Sequence, residues 1–372
     1  MRPRRLILHH FDPTTHRAGG IETCLRDMVR FGYRAHFGFV ASDLSGDKRV
    51  GTWQRLDLFS TNDPSPVLFV SRLDFARGQV PDVARYGAGC LRFRRALRGA
   101  EPDVVQVHRP ELALLARRLF PDVPLVLFVH EDAANWRTST TESHWRRFPD
   151  AYLALQGRAV RSADRVVSFS HSAAERLAEH TDRVIEFPTW FDPSSFKPRE
   201  IADADPTAVL WVGRFEAVKD PFLALETLAC LPDDFTMSMV GHGRLHGALE
   251  AEIAQRGLTS RVRLVGHVPR SEVAELMRRH RTLLMTSHSE GFPRALVEML
   301  ATGRPVVATE AADPGALLTE PAVGARTPDR DGAVLAELIL RSLDKADADL
   351  CCARVAHLSA PTIVGQILDT DG

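Results

Sequence analysis

The chain has 372 residues, of which 44% are hydrophobic and 26% charged, the make-up of an ordinary globular protein with room for two cored domains. A formal net charge of -1 argues against nucleic acid as the main partner. Its five cysteines form neither a Cys-x-x-Cys pair nor an even framework, which points to reduced thiols rather than a disulfide scaffold.

From the N-terminus, only three apolar residues follow the basic opening before His9 and His10, so no signal peptide is expected. Short apolar runs then alternate with amphipathic stretches, predicting strands over 6–8, 35–40, 104–107, 125–129 and 165–169. A glycine pair, Gly19 and Gly20, follows the first strand and opens a helix with Leu25, Met28 and Val29 on one face. The segment 92–98 carries Arg92, Arg94, Arg95 and Arg98, which reads as a solvated helix side or as a contact for anionic lipid. Histidines close two strands, His108 and His130, and the latter precedes Glu131, Asp132 and Trp136 in a polar loop that also holds Trp145. His130-Glu131 opens no zinc-protease helix, because Ala134 stands where the second histidine would fall.

Residues 187–206 are dense in Pro, Asp and Ser, the composition of an interdomain linker. Beyond them the rhythm resumes, with strands predicted over 208–212, 235–240, 262–265, 282–285 and 306–308. The architecture expected is therefore α/β, two βαβ domains. Paired α/β domains hold ligands at the carboxyl ends of their strands, so the loops that follow strands carry the functional information.

Four such loops in the second half stand out. Gly213, Arg214 and Lys219 follow the first of them, a close-approach glycine with two cations suited to a diphosphate, although taken alone the pair also reads as surface charge. Gly241, His242 and Gly243 follow the second without completing a dinucleotide fingerprint, since His246 occupies the third glycine's place. His267 and Val268 follow the third. The fourth is the run Ser-Glu-Gly-Phe-Pro-Arg-Ala-Leu-Val-Glu over 289–298, which sets Glu290 in a loop and Glu298 two turns down a helix, with Pro293 at the first helical position. Backbone N–H groups beside Gly291 would then offer an anion site.

Together these segments resemble the C-terminal domain of the retaining GT-B glycosyltransferases of family 4. The resemblance rests on the loops at 212–219, 240–245 and 262–268 and on the stretch 289–308. It implies two Rossmann-like domains facing a central cleft: an acceptor-side domain over 1–188, a linker over 189–206, a sugar-nucleotide domain over 207–346, and a C-terminal helix over 347–372 that crosses back to the first domain. It also implies site roles. Arg214 and Lys219 would bind the donor diphosphate, His267 and Val268 the base, and Glu298 the ribose. Glu290 would bind the donor sugar, with the N–H groups of Gly291 and Phe292 near sugar or phosphate. Gly19, Gly20, Gly213, Gly241 and His242 would line the donor, although His242 replaces a common acidic residue. His130 would face the reacting sugar, and His108, Glu131, Asp132 and Trp136 would lie on the acceptor side. The family's Asn-Gly turn after Pro188 is replaced here by Thr189, Trp190 and Phe191.

The chemistry implied is transfer of a sugar from a UDP- or GDP-linked donor to a carbohydrate, lipid-linked or small-molecule hydroxyl, with retention at the anomeric carbon. No metal and no other cofactor is expected, because Arg214 and Lys219 supply fixed positive charge; Asp203 and Asp205 lie in the linker and read as spacer. A cytoplasmic protein is expected, with peripheral contact at the inner membrane face left open, as are the oligomeric state, the donor and the acceptor. Two other readings stand beside transfer: an epimerase of GT-B architecture, and a non-catalytic sugar-nucleotide-binding protein.

Overall fold

The computed structural model describes residues 3–15, 20–32, 35–58, 64–72, 82–130, 148–198 and 204–369. These residues form two units: one from the described residues up to 130 with 148–187 and 364–369, the other from 188–363.

The first unit is built on an eight-stranded sheet. Its strands are β1 (Arg5–Leu8), β2 (Phe37–Asp43), β3 (Trp53–Leu56), β4 (Ser65–Arg72), β5 (Val104–Val107), β6 (Leu125–Val129), β7 (Arg165–Ser168) and β8 (Val184–Glu186), in the order β3-β4-β2-β1-β5-β6-β7-β8. All neighbours run parallel except β3, which pairs antiparallel with β4 at the edge. A parallel strand with helices on both faces has no solvent side, and β1, β2 and β6 are accordingly buried at every residue. Tyr86, Leu97, Leu112 and Val160 bring helices onto this sheet and complete its core.

The second unit has six parallel strands: β9 (Asp205–Val212), β10 (Thr236–Val240), β11 (Val262–Gly266), β12 (His280–Met285), β13 (Val306–Thr309) and β14 (Gly324–Thr327), ordered β11-β10-β9-β12-β13-β14. Trp211, Phe215, Leu225 and Ile339 lie in its core.

Each sheet reverses its winding once. In the first unit the chain adds β2 on one side of β1 and β5 on the other; in the second it adds β10 on one side of β9 and β12 on the other. The loops leaving these central strands diverge at the switch point and open a crevice at the carboxyl edge. His9 and His108 follow β1 and β5, while Arg214 and Ser287 follow β9 and β12.

Several expectations need correction. Four strands, β3, β4, β8 and β14, were not expected: β3 reads Trp-Gln-Arg-Leu, β8 has three residues and β14 reads Gly-Ala-Arg-Thr, so none of these presents a continuous apolar run, whereas β4 carries one at 67–70 that was overlooked behind Pro66. Asp205 is not spacer but the first residue of β9, where its Oδ1 accepts from the Thr207 N–H at 3.0 Å. Within the stretch read as a linker, Trp190 and Phe196 have 0% and 1% exposure, and Phe191 N–H donates to the Leu358 carbonyl at 3.1 Å. The last helical segment is two helices, Ala348–Val355 and Ala360–Asp369, separated by a 3-10 turn at Ala356–Leu358. Within the first unit, Val364 and Leu368 of the final helix lie against Gly32.

Arg92, Arg94, Arg95 and Arg98 are exposed, as a solvated helix side requires. Among the described residues, no helix is long and apolar enough to cross a membrane.

Gly324 begins the edge strand β14 at φ +133°, and a Cβ placed there would stand 1.9 Å from the Val306 carbonyl oxygen. Both the backbone conformation and the contact exclude a side chain. Gly324→Ala is expected to lower the unfolding free energy by about 2 kcal/mol, read from urea denaturation. An unchanged midpoint would contradict this packing of β14.

Candidate active site

In the second unit, three loops are tied together at the carboxyl edge. Gly213 N–H donates to the Val240 carbonyl at 3.0 Å, and Gly241 N–H to the Gly266 carbonyl at 2.9 Å, so the ends of β9, β10 and β11 are locked in sequence. Gly241 has φ +143°, and a Cβ there would lie 1.8 Å from the Gly213 oxygen, a closeness that only glycine permits.

The loop after β9 is then pinned to the end of β12. Thr286 Oγ1 accepts from buried Trp211 Nε1 at 3.0 Å and lies 2.9 Å and 2.7 Å from the carbonyl oxygens of Lys219 and Asp220. His288 N–H donates to the Val218 carbonyl at 2.8 Å. Arg330 adds a cation to the same knot, reaching the carbonyls of Thr286 and Ser287 at 2.8 Å and 3.2 Å and the Asp220 carboxylate at 2.5 Å. Asp220 adopts φ +43° and caps the helix Pro221–Cys230 by accepting from Leu223 N–H.

This scaffold sets Lys219 on Glu290. Lys219 Nζ donates to Glu290 Oε1, which also accepts from Ser287 Oγ at 2.7 Å. Arg214, more exposed, donates to Glu216 at 3.0 Å. Glu298 is buried in the helix Arg294–Ala301 and accepts from Arg270 Nη2 at 2.6 Å. Arg270 starts the helix Arg270–Arg279 that follows the loop of His267 and Val268. The turn between Glu290 and Glu298 is held from outside: Thr189 Oγ1 donates to the Phe292 carbonyl at 3.1 Å, and the Arg294 guanidinium lies 5.3 Å from the centre of the Trp190 ring.

In the first unit, histidines gather at the switch point. His108 is buried, with its ring stacked on Phe128 at 4.6 Å and on His130 at 5.0 Å. His108 Nδ1 and His130 Nε2 are 2.7 Å apart, and His108 Nε2 lies 2.6 Å from Gln106 Nε2. Gln106 Oε1 in turn accepts from buried Arg5 at 2.6 Å. His9, 2% exposed, has neither ring nitrogen hydrogen-bonded and meets Phe11 edge-on at 5.0 Å. Burial drives the pKa values of His9 and His108 well below the usual histidine range, helped by neighbouring histidines and arginine, so both rings are neutral. Cys24 Sγ lies with one nitrogen of each of His108 and His130 within 4.8 Å. Cys24 and His108 are buried there and His130 is half-buried.

Two family models match almost end to end. "Glycosyl transferase 4-like domain" takes in residues 19–186, and "Glycosyl transferases group 1" takes in residues 194–351. The chain belongs to the GT4-like glycosyltransferases of GT-B fold.

Glycogen synthase of Mycobacterium tuberculosis is 26% identical over 277 residues, covering 70% of this chain and 64% of that protein. The match thus spans less than two thirds of that relative's length. Among solved structures, sucrose-phosphate synthase from Thermosynechococcus elongatus superposes with a TM-score of 0.79 at 16% identity, over 99% of this chain and 98% of the other. Anabaena HepE in complex with UDP and glucose gives 0.73 at 19% identity, with 99% and 98% covered.

In this GT4-like chain the second unit brings Gly213, Lys219, Gly241 and Glu290 to one sheet edge, with Arg214 and His242 exposed on the same loops and His242 tilted over His246 at 5.3 Å. Gly291 and Phe292 are half-buried in the turn, His267 is exposed and Val268 half-buried. The first unit brings His108 and His130 into direct contact. Gly20 is the exposed first residue of the helix Gly20–Phe31. Gly19, Glu131, Asp132, Trp136 and Trp145 lie outside the described residues. Two local expectations change. Pro293 is the cap and not the first helical residue, and Glu298 accordingly sits little more than one turn into the helix. Arg270, Thr286, Arg330, Arg5 and Gln106 were missed, because a lone polar residue in a strand or helix carries no motif.

Neutral His9 and His108 make stability pH-dependent. Their folded-state pKa values are depressed, so below the ordinary value of 6.5 the unfolded chain binds protons that the folded chain does not. Stability is complete above about pH 6.5 and is expected to fall below it by about 1.4 kcal/mol per pH unit for each such histidine. His9→Phe should flatten the decline by about one proton's share, measured by urea unfolding between about pH 7.5 and about pH 5.5. Equal slopes in both proteins would refute the neutral burial of His9.

Proposed function

We propose that this chain transfers a glycosyl group from a nucleoside-diphosphate sugar, UDP- or GDP-linked, to an acceptor hydroxyl with retention at the anomeric carbon. The observation that carries the reading is the Lys219–Glu290 pair at the switch point between β9 and β12, with Arg214 on the same loop. A cation and a carboxylate so placed suit the two parts of such a donor. The ammonium offsets charge on a leaving diphosphate, and the carboxylate accepts from sugar hydroxyls.

In the step proposed, the acceptor oxygen bonds to the anomeric carbon on the face that the diphosphate leaves. The carbon–oxygen bond to phosphate breaks, and its electron pair stays on the diphosphate. The acceptor proton passes to a phosphate oxygen. Lys219 and Arg214 stabilise the charge that develops there without moving, since Thr286 and Arg330 already fix the loop that carries Lys219. Those fixed cations do the work for which other transferases recruit a metal, and we assign no metal or other cofactor to the site. Glu298 holds the ribose hydroxyls, oriented by Arg270. His130 contacts the sugar at the reacting carbon. The acceptor is a carbohydrate, a lipid-linked sugar or a small molecule bound by the first unit, in a cytoplasmic setting.

Incubation with sugar nucleotides should release nucleoside diphosphate only when acceptor is present, with the product anomer matching the donor. Epimerised donor in the absence of acceptor would overturn the reading. Glu298→Ala is expected to weaken nucleoside diphosphate binding by about 1–3 kcal/mol in calorimetry, roughly five- to 150-fold. Unchanged affinity would remove the ribose role. Arg214→Ala should lower kcat and leave the donor KM within about twofold; a raised KM with unchanged kcat would assign Arg214 to ground-state binding instead.

A further inference from the structure

Beneath His130 runs a line of buried polar groups that belongs to no motif. Arg5 on β1 donates to Gln106 Oε1 on β5 at 2.6 Å, Gln106 Nε2 meets His108 Nε2 at 2.6 Å, and His108 Nδ1 meets His130 Nε2 at 2.7 Å. Arg5, Gln106 and His108 are 2%, 0% and 2% exposed. The direction of every bond follows from the first. A guanidinium has donors and no acceptor, so the Gln106 oxygen must face Arg5 and its NH2 group must face His108. Met28 Sδ, an acceptor 3.5 Å from the same Gln106 nitrogen, fits that orientation. His108 Nε2 therefore accepts, and the ring's one proton sits on Nδ1. His108 Nδ1–H then donates to His130 Nε2, which leaves the proton of neutral His130 on Nδ1.

We propose that Arg5, Gln106 and His108 are positioning residues that fix His130 as its Nδ1–H tautomer, so that His130 serves the transfer as a hydrogen-bond donor and not as a base. The inference rests on the reading of His130 given under Proposed function. Rings hold the line in place: His108 lies between Phe128 and His130, and His130 packs on Phe169 at 5.1 Å. Protonating His130 would put a second donor opposite the His108 N–H. Relieving that clash means moving the His108 proton to Nε2, flipping the Gln106 amide, and setting its NH2 group against Arg5. Among the described residues, the groups acting on His108 are the basic Arg5 and His130, and Cys24 Sγ lies with one nitrogen of each of His108 and His130 within 4.8 Å. The consequence for mechanism is specific. A proton leaving the acceptor hydroxyl cannot go to the Nε2 lone pair, which the His108 N–H already occupies. It goes to the diphosphate.

The test is the tautomer itself, read by long-range proton–nitrogen correlation on the full chain with nitrogen-15 histidine, assigned with His108→Gln and His130→Gln. Wild-type protein should show the Nδ1–H form for both rings; an Nε2–H signal for His130 would overturn the proposal without any variant. Arg5→Met removes the group that orients Gln106 and should give His130 averaged nitrogen shifts, whereas Arg5→Lys keeps a donor-only cation and should restore the single tautomer. Identical His130 spectra in wild type and Arg5→Met would also sink it. Transfer kinetics separate the two claims. If His130 acts on the sugar, Arg5→Met lowers kcat on the order of tenfold with donor KM unchanged, less than the ~10⁴-fold drop when a wrong tautomer is imposed on a histidine base. A mixed tautomer with an unchanged rate would uphold the relay and remove His130 from the reaction.

Discussion

A parallel sheet covered on both faces has one place left for chemistry, the edge where its strands end, and both units of this chain are built under that constraint. Side chains within the strands are committed to the core: Leu6, Ile7 and Leu8 of β1 and Val209 and Leu210 of β9 have 0% exposure. Apart from the supporting Arg5 and Gln106, the polar groups of these sites begin at or just past the residue where the strand stops. They begin at His9, His108 and His130 in the first unit, and at Gly213, Gly241 and Ser287 in the second. The switch point widens this edge only beside the central strand, and this is where Lys219 meets Glu290.

Loops on such an edge must also be held, since a cation that wanders gives back in reorganisation what it gains in attraction. The second unit solves this with backbone and hydroxyl. The Gly241–Gly213 contact is too close for any side chain, and Thr286 lies within 2.9 Å of two carbonyl oxygens while taking a hydrogen bond from a core tryptophan. Lys219 is thereby fixed through Trp211, a residue of the core, rather than through its own flexible stem. The replacement of the family's Asn-Gly turn by Thr189, Trp190 and Phe191 fits the same logic. Thr189 and Trp190 grip the turn between Glu290 and Glu298, and Phe191 ties that grip to the C-terminal segment.

Much of this edge was legible in the sequence because it is local. The apolar runs marked β1, β2, β5, β6, β7, β9, β10, β11, β12 and β13, and the residues just past them named Arg214, Lys219, Glu290, His108 and His130 as candidates. What stayed hidden depends on distance along the chain. Arg5 and Gln106 are 101 residues apart, Thr286 and Trp211 75, and Arg330 and Asp220 110, so no spacing rule could join them. β14 was invisible for another reason. Gly324 is dictated by a steric approach to Val306 and not by hydropathy, so the strand has a register but no apolar signature.

Three of the groups that were missed share a chemical type. Arg5, Arg270 and Arg330 each donate to a group that has a second orientation or a charge to control: an amide that can flip, a buried carboxylate, a pair of loop carbonyls. A guanidinium suits that task because it cannot accept and does not lose its charge near neutral pH, so its partner has one permitted arrangement. For the amide the choice then propagates. Gln106 can satisfy Arg5 in only one sense, His108 can satisfy Gln106 in only one sense, and the proton of His130 is placed by a residue on the neighbouring strand. Buried arginine is a poor source of net stability, because its desolvation is costly, and β1 would pack at least as well with an apolar side chain at position 5. Its presence there is better explained by what it specifies than by what it stabilises: it turns three groups that could each point either way into a line with a single direction.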